Sequence, residues 1–201
     1  MIYLASRSPR RRELLAQIGV KFEPLMFREG PRQDNDTDEA VRPDEQPDEY
    51  VRRVTRLKCE AAWQRVVLRR GLRRMPVLAA DTTVELDSVI LGKPADREDA
   101  GRILRLLAGR QHRVLTAVAV QLEQRFEMAV SESLVTFAPL DDERIATYVK
   151  SGEPFDKAGG YGIQGRAAAF IERLEGSYTG VMGLPLYETA TLLRLFGVSV
   201  P

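Results

Sequence analysis

The sequence predicts an α/β fold with an elongated mixed β-sheet and flanking helices. Segments with helical spacing of apolar residues are interspersed with short apolar strands along the chain, which is the pattern of an α/β protein. Two long alternating segments, residues 113–122 and 126–137, are separated by the polar turn Glu123-Gln124. Such a pair favours antiparallel strands, so we expect a mixed sheet. No linker separates independent domains, and we expect residues 1–201 to form a single domain.

The composition limits the classes of function. With 201 residues and 44% hydrophobic content, the chain can bury a full core. Its 30 basic residues nearly balance its 29 acidic ones, which argues against a nucleic-acid partner or a membrane surface. We find no secretory signal pattern and no apolar run that could span a bilayer, so we expect a cytoplasmic protein. The single cysteine, Cys59, and the single histidine, His112, exclude a cysteine- or histidine-rich metal site, and we expect both to be structural.

The first predicted strand leads directly into a helix. Residues 2–5 are apolar, and Ser8-Pro9 predicts the N-cap and first residue of a helix that runs to Ile18 and is closed by Gly19. A strand that feeds a helix start forms an anion site, because the free N–H groups and the helix dipole face outward there. Residues 10–12 are three arginines, which oppose the dipole unless an anion receives them. A phosphate site is favoured, with a solvated basic turn as the alternative.

A second strand and a long helix follow. Residues 21–27 predict a strand, and residues 28–49 form an acidic loop. Pro47 begins a helix that extends to about Val67 with apolar residues at helical spacing. Lys58 lies near the middle of this helix, where a lysine is usually solvated, so the position carries little information by itself.

The next strand ends in an acid. Residues 77–80 are apolar and precede Asp81-Thr82-Thr83, and residues 84–86 and 89–91 predict a hairpin around Asp87-Ser88. Ligand crevices of α/β proteins form outside strand ends, which makes Asp81 a candidate functional residue. Aspartate also caps turns, and this alternative stays open.

The remaining elements follow the same periodicities. We predict a helix that Asp96 starts and Gly109 ends, a short helix over residues 141–150, a strand over 167–174, a turn-rich loop over 176–183 and a closing helix over 184–196.

Residues 152–165, GEPFDKAGGYGIQG, form an unusual glycine-rich segment, called the glycine segment below. Glycine is unfavourable in regular helices and strands, but it lets the backbone approach a ligand closely. Asp156, Lys157 and Gln164 add charge and hydrogen-bonding groups. A ligand-binding role is one interpretation, and an ordinary surface turn is the other.

Taken together, these motifs resemble a known family. LASRSPRRRELL at 4–15, LAADTTVELDSVILGKP at 78–94, RQHRVLTAV at 110–118, the glycine segment and the GLPL sequence near Leu184 are similar, in order and spacing, to the Maf family of nucleoside triphosphate pyrophosphatases. The resemblance implies a fold of two α/β lobes around a central cleft and a homodimeric assembly. The reaction it implies is hydrolysis of a nucleoside triphosphate to the monophosphate and pyrophosphate.

The resemblance also implies the chemical roles. Asp81 matches the catalytic base, and Lys58 and Lys93 match the catalytic lysines. Glu39 matches the acid that helps Asp81 to hold a divalent metal cation, Mg²⁺ or Mn²⁺, with Asp38 as the alternative in the same loop.

The substrate residues are carried over in the same way. Ser6, Arg10 and Arg11 match the phosphate-binding positions, and Arg10, Thr82 and Gln164 match those associated with specificity. The sequence DKAGGYGIQG is similar to the branch that acts on dTTP and UTP, which leaves modified pyrimidine nucleotides as further candidates. The alternative function is a nucleotide-binding regulator of cell division and septum formation with incidental hydrolysis.

Overall fold

The structure of the protein is a computed structural model that describes residues 1–25 and 38–200. Its strands are β1 Ile2–Leu4, β2 Phe22–Pro24, β3 Val77–Leu86, β4 Val89–Leu91, β5 Gln111–Leu122, β6 Arg125–Phe137 and β7 Ile171–Glu175. Its helices are α1 Pro9–Gln17, α2 Pro47–Leu68, α3 Arg97–Leu107, α4 Asp142–Lys150, α5 Tyr178–Met182 and α6 Leu186–Leu195. Single 3₁₀ turns cover Glu153–Asp156, Ala158–Gly160 and Arg166–Phe170. Among the residues described, no helix combines the length and the apolarity that a bilayer crossing requires.

The strands form one mixed sheet in the order β2-β1-β3-β5-β6-β7, with β4 paired to the edge of β3. β1 runs parallel to β2 and β3. β3, β5, β6 and β7 follow in that order, and each runs antiparallel to the strand next to it. The predicted α/β class and the mixed sheet are therefore confirmed.

Alternation along β3 decides which helix each of its side chains meets. Val77 and Ala79 point to one face, where they pack with Cys59 and Trp63 of α2. Leu78 and Ala80 point to the other face, where they pack with side chains of α1 and α6 such as Leu14, Leu15 and Leu193. By the same alternation Asp81 faces α2 and Thr82 faces α1.

The other end of β3 belongs to a second group of helices. Val84 and Leu86 pack in a cluster with Ile103 of α3 and Tyr148 of α4. Tyr161 of the glycine segment lies in the same cluster. Two groups of helices thus flank the two ends of the long central strands, as expected of two lobes around a cleft.

Three predictions about local structure were wrong. The strand expected over 77–80 continues to Leu86, because β5 pairs with it from Val77 to Glu85 and β4 pairs with it at Leu86. Asp81 consequently lies inside a strand and not at its end. Residues 166–170 form a 3₁₀ turn instead of the start of a strand, and the loop expected over 176–183 contains helix α5, whose N-cap Ser177 accepts a hydrogen bond from Gly180 N. The end of the predicted second strand, residues 26–27, and the acidic loop up to residue 37 lie outside the described residues.

Candidate active site

The sheet opens at one edge of β3, and the candidate site lies there. β1 pairs with β3 only at Val77 and Leu78, and β4 pairs with it only from Val84 onward. Between these two pairings the edge of β3 has no neighbouring strand among the described residues. Asp81, Thr82 and Thr83 occupy this interval. The cleft is therefore a gap in the sheet, which differs from the crevice beyond a strand end that the sequence indicated.

Lys58 of α2 brings two acids together in this gap. Its Nζ lies 2.7 Å from Asp81 Oδ1 and 3.0 Å from Glu39 Oε1. The Lys58 and Asp81 side chains are 18% and 14% exposed, so water screens their ion pair only weakly, while Glu39 is half-exposed. Lys58, which carried little information in the sequence, is thus the residue that links α2, β3 and the loop before α2.

The geometry also separates the two acids of that loop. Asp38 Oδ1 accepts a hydrogen bond from the backbone N–H of Ala40 at 3.1 Å, a local turn contact. Glu39 instead reaches Lys58. Of the two alternatives, Glu39 is the one whose side chain lies at the cleft.

Arg11 lies on the α1 side of the cleft. Its Nε donates to the carbonyl of Gly183 at 2.7 Å, and its two terminal nitrogens donate to Ser6 Oγ and Thr82 Oγ1 at 3.3 Å each. No carboxylate among the described residues forms an ion pair with Arg11. Burial lowers the pKa of its guanidinium, with a partly opposing effect from the nearby carboxylate of Asp81. An arginine held by neutral oxygens in this way retains its attraction for an anion.

Arg10 lies across the cleft from the glycine segment. Its guanidinium donates to Asp156 Oδ2 at 3.0 Å. Lys157 pairs with the same carboxylate through Oδ1, and its ammonium also donates to the carbonyl of Glu153 at 2.6 Å. Hydrogen bonds from Lys157 and Arg10 lower the pKa of Asp156, against an opposing effect of burial that is the largest single contribution. Asp156 therefore joins the two sides of the cleft as a carboxylate.

The cleft itself has a volume of about 670 Å³, which is in the range of small-molecule sites. Its lining includes all nine residues that the sequence analysis identified: Ser6, Arg10, Arg11, Glu39, Lys58, Asp81, Thr82, Lys93 and Gln164. Lys93 and Gln164 are exposed side chains on its wall. Within residues 1–25 and 38–200, Lys93 forms no ion pair, so its ammonium group is available to a ligand.

The glycine segment is held rigidly beside the cleft. Gly159 N donates to the carbonyl of Gly92 at 3.0 Å, which fixes the segment next to Lys93. Gly159 has a φ of +69°, and a Cβ at this position would lie 2.8 Å from a methyl carbon of Val84. Tyr161 is buried, and its hydroxyl lies 2.7 Å from Nε2 of His112. The segment is an ordered wall of the site, which favours the ligand-binding interpretation over an ordinary surface turn.

His112 and Cys59 are both buried, as expected of structural residues. Burial lowers the pKa of His112 to about 4, so the imidazole is neutral at neutral pH. Burial raises the pKa of Cys59 to about 12, and its sulfur lies 3.7 Å from the carbonyl of Val77. Neither residue lines the cleft.

The donor set for a metal ion is small. Within the described residues there is no cluster of three histidine, cysteine, aspartate or glutamate side chains. Asp81 and Glu39 are two carboxylates gathered around one ammonium group, so their surroundings already favour a cation. Mg²⁺ is commonly held by one or two carboxylates together with water and substrate phosphates, and these two residues fit that requirement.

Sequence reasoning missed three residues that build the site. Thr116 Oγ1 lies 3.0 Å from Thr82 Oγ1 on the adjacent strand. Tyr50 donates to the carbonyl of Glu39, and Arg53 donates to the carbonyl of Asp38. A signal for the last two was present, because Tyr50 and Arg53 lie three residues apart and are therefore neighbours on the helix surface.

Comparison with known proteins bears on the family. A family model described as Maf-like protein matches residues 1–196. The dTTP/UTP pyrophosphatase of Aromatoleum aromaticum is 58% identical over 98% of this chain and 95% of its own length. That of Dechloromonas aromatica is 55% identical over 98% of this chain and 97% of its own length. The solved structure of the Staphylococcus aureus Ham1 protein matches 70% of this chain and 72% of its own chain, with a TM-score of 0.42 and 16% identity.

The family model spans nearly the whole chain, and the two relatives align with it from end to end at more than half identity. The motifs that carried the resemblance in the sequence are also the ones that line the cleft. The chain belongs to the family of Maf-like proteins.

Proposed function

We propose that the protein is a nucleoside triphosphate pyrophosphatase that hydrolyses dTTP and UTP to the monophosphate and pyrophosphate. The observation that carries the proposal is the pairing of Lys58 with Asp81 and Glu39 in the open edge of β3, opposite the arginines of α1. A triphosphate requires charge neutralisation around a position where water can attack, and this arrangement provides both. The two relatives are named dTTP/UTP pyrophosphatase, which supports the same reaction and substrates.

The cations of the cleft bind and orient the phosphates. Arg11 is held rigidly by Gly183, Ser6 and Thr82, so it loses little freedom when it contacts an anion. Arg10 contacts the triphosphate from the same turn of α1, and Lys93 contacts it from the opposite wall. These groups stabilise the negative charge that develops on the leaving pyrophosphate.

Asp81 acts as the general base. With Oδ1 held by Lys58, its second oxygen accepts a proton from the attacking water. The water oxygen bonds to the α-phosphorus, the bond from that phosphorus to the bridging oxygen breaks, and pyrophosphate leaves. Lys58 orients Asp81, because its ammonium group holds Oδ1 of the carboxylate at 2.7 Å.

A divalent metal cation, Mg²⁺ or Mn²⁺, belongs to this proposal. Asp81 and Glu39 are the residues that would hold it, together with phosphate oxygens. When bound, such a cation neutralises phosphate charge and lowers the pKa of coordinated water.

The glycine segment selects the base. Gln164 can donate and accept hydrogen bonds toward a pyrimidine carbonyl and imide N–H, and a site built on such pairing rejects bases that leave it unpaired. The backbone around Gly162 and Tyr161 shares the wall with Gln164. A modified pyrimidine nucleotide that keeps this edge is a further candidate substrate, and Thr82 and Arg10 contribute to the choice from the α1 side.

The proposal extends to the molecular setting. The seven-stranded sheet formed by the described residues and the family match over residues 1–196 support one domain over residues 1–201. We expect a homodimer, no nucleic-acid partner and action in the cytoplasm, where nucleoside triphosphates are consumed.

The experiment is pyrophosphate release from a panel of nucleoside triphosphates with Mg²⁺ or Mn²⁺, measured on wild type and Asp81→Asn. We expect wild type to favour dTTP and UTP and Asp81→Asn to lose roughly 10²- to 10⁴-fold in kcat while binding of a non-hydrolysable dTTP analogue persists. An active Asp81→Asn enzyme would contradict the assigned base. Tight nucleotide binding by wild type without any hydrolysis would instead favour a regulator of septum formation.

A further inference from the structure

Three consecutive carbonyl groups around Glu39 are hydrogen-bonded by side chains of α2. Arg53 donates to the carbonyl of Asp38 at 2.7 Å and to that of Ala40 at 2.8 Å. Tyr50 donates its hydroxyl to the carbonyl of Glu39 at 3.1 Å. The backbone of Glu39 is therefore held at its own carbonyl and at both neighbouring ones.

Arg53 is itself fixed by a second contact. Its Nε and one terminal nitrogen donate to the carboxylate of Glu45 at 2.5 and 2.8 Å, the bidentate geometry that orients a guanidinium most strongly. Both side chains are well buried, at 14% and 7% exposed. Glu45 also accepts a hydrogen bond from the backbone N–H of Arg42 at 3.1 Å. The guanidinium thus ties both ends of the loop between residues 38 and 45 to α2.

The same helix carries the ion-pair partner of the Glu39 side chain. Lys58 lies eight residues after Tyr50 and five after Arg53, and its ammonium group forms an ion pair of 3.0 Å with the Glu39 carboxylate. The Glu39 carboxylate is half-exposed and has this single recorded ion pair within the described residues, which by itself holds a flexible side chain poorly. The position of Glu39 therefore depends on its backbone, and its backbone depends on Arg53 and Tyr50.

We propose that Arg53 and Tyr50 are positioning residues that hold Glu39 at Lys58 and Asp81. This inference rests on the proposed function, because it assigns Glu39 a part in hydrolysis. Arg53 contributes through two neighbouring carbonyls and Tyr50 through one. Outer hydrogen bonds that orient a catalytic or metal-binding carboxylate typically change activity roughly 10- to 100-fold when removed.

The test is a double-mutant cycle on kcat for dTTP with Arg53→Met and Glu39→Gln. We expect Arg53→Met to lower kcat roughly 10- to 100-fold in the wild-type background and to have almost no effect once Glu39 is glutamine. Tyr50→Phe, which removes one hydroxyl, should lower kcat roughly 2- to 10-fold. Arg52→Met is the matched control, because Arg52 is an exposed arginine on the neighbouring position of α2 and should leave kcat unchanged.

Two further readouts separate positioning from folding. We expect the Arg53 variants to need a higher Mg²⁺ concentration for half-maximal activity, while calorimetric binding of a non-hydrolysable dTTP analogue without metal stays at the wild-type affinity. Arg53→Lys keeps the charge but loses the fork that reaches two carbonyls, so it should reproduce the loss of kcat even if Arg53→Met fails to fold.

Equal fold losses from Arg53→Met in both backgrounds would overturn the proposal, because the arginine would then act independently of Glu39. Wild-type activity of Glu39→Gln would overturn it as well. Wild-type activity of Glu39→Gln would also remove Glu39 from the proposed metal site. Neither outcome decides whether the protein hydrolyses dTTP and UTP or whether Asp81 is the base, which the nucleotide panel and Asp81→Asn test separately.

Discussion

Arg10 and Asp156 form an ion pair of 3.0 Å across the cleft, although 146 positions separate them in the chain. Arg10 belongs to the first turn of α1, and Asp156 belongs to the glycine segment. A triphosphate that approaches Arg10 meets a guanidinium already paired with a carboxylate. Binding therefore exchanges one anionic partner of Arg10 for another.

We expect Asp156→Asn to lower KM for dTTP, because it removes a negative charge that competes with the phosphates. The Asp156 side chain is 61% exposed, so the change should be roughly fivefold at most. Arg10→Met should raise KM. Steady-state kinetics at low ionic strength measure both effects, and added salt should reduce them.

Asp142→Asn is the matched control for this pair. Asp142 forms an ion pair of 2.7 Å with Arg105, both partners are exposed, and neither lines the cleft. Its substitution should leave KM unchanged. A higher KM for Asp156→Asn would show that Asp156 supports substrate binding instead of competing with it.

Gly159→Ala should destabilise the protein more than Gly152→Ala. Both glycines have positive φ, +69° and +78°, so alanine costs roughly 1–2 kcal/mol of folding free energy at either position. A Cβ on Gly159 would also lie 2.8 Å from a Val84 methyl carbon, whereas no described atom lies within 4 Å of one on Gly152. The crowding adds roughly 1–3 kcal/mol, which denaturant unfolding can resolve.

Activity provides the second readout for these two variants. Gly159 adjoins the residues that line the cleft, and its N–H is bonded to Gly92, so Gly159→Ala should also raise KM for dTTP. Gly152→Ala should leave KM near the wild-type value. Equal losses of stability in the two variants would contradict this prediction, because they would mean that the Val84 side chain moves away from the added methyl group at little cost in free energy.

The sequence predicted most elements because their signals are local. The turn at Asp87-Ser88 is an example: both residues adopt positive φ, at 52° and 65°, and β4 folds back on β3 as expected. The length of β3 could not be predicted from its own residues, because it depends on pairing with β5. Nothing between residues 80 and 84 indicates that β5 continues alongside, and only that pairing keeps Asp81 inside a strand.

The candidate site was predictable in its residues but not in its contacts. Resemblance to the family identified Asp81, Lys58 and Glu39 as site residues. It did not predict that the ammonium group of Lys58 pairs with both carboxylates. The three arginines of residues 10–12 suggested a phosphate site as a group. In the structure Arg12 instead donates to the carbonyl of Arg7 at 3.1 Å, and of these three arginines only Arg10 and Arg11 line the cleft. The charge pattern of a sequence does not show which of the charged side chains will line the cleft.

Metal removal should abolish hydrolysis without affecting the fold. Asp81 and Glu39 are the two carboxylates gathered around Lys58 at the cleft, and within the described residues no cluster of three metal-binding side chains supports a structural ion. Chelation with EDTA should therefore stop pyrophosphate release and leave the melting temperature of the nucleotide-free protein unchanged. Added Mg²⁺ or Mn²⁺ should restore activity. A melting temperature that falls on chelation would contradict this prediction, because it would mean that a bound metal ion stabilises the fold.

Because of His112, the free energy of unfolding should be lower in mild acid than at neutral pH. Its pKa is about 4 in the folded protein because the imidazole is buried against Tyr161 and Phe137, and about 6.5 when the chain is unfolded. A lowered pKa means that the unfolded chain binds the proton more readily. The contribution of the neutral, buried His112 to the free energy of unfolding is therefore fully present above about pH 6.5 and is lost as the pH drops toward 4. At pH 5 linkage gives a loss of about 2 kcal/mol.

The single histidine makes this prediction unusually direct to test. In tag-free protein one imidazole signal is expected in a proton NMR titration, and its midpoint should lie well below 6.5. Denaturant unfolding at pH 7 and pH 5 should show a larger drop for wild type than for His112→Gln, since carboxylates titrate equally in both. Tyr161→Phe keeps the aromatic contact but removes the hydroxyl 2.7 Å from Nε2, so it isolates the hydrogen bond from the burial. Because burial is the cause of the lowered pKa, the titration midpoint in Tyr161→Phe should stay below 6.5, and a midpoint that returned to 6.5 would assign the shift to the hydroxyl instead.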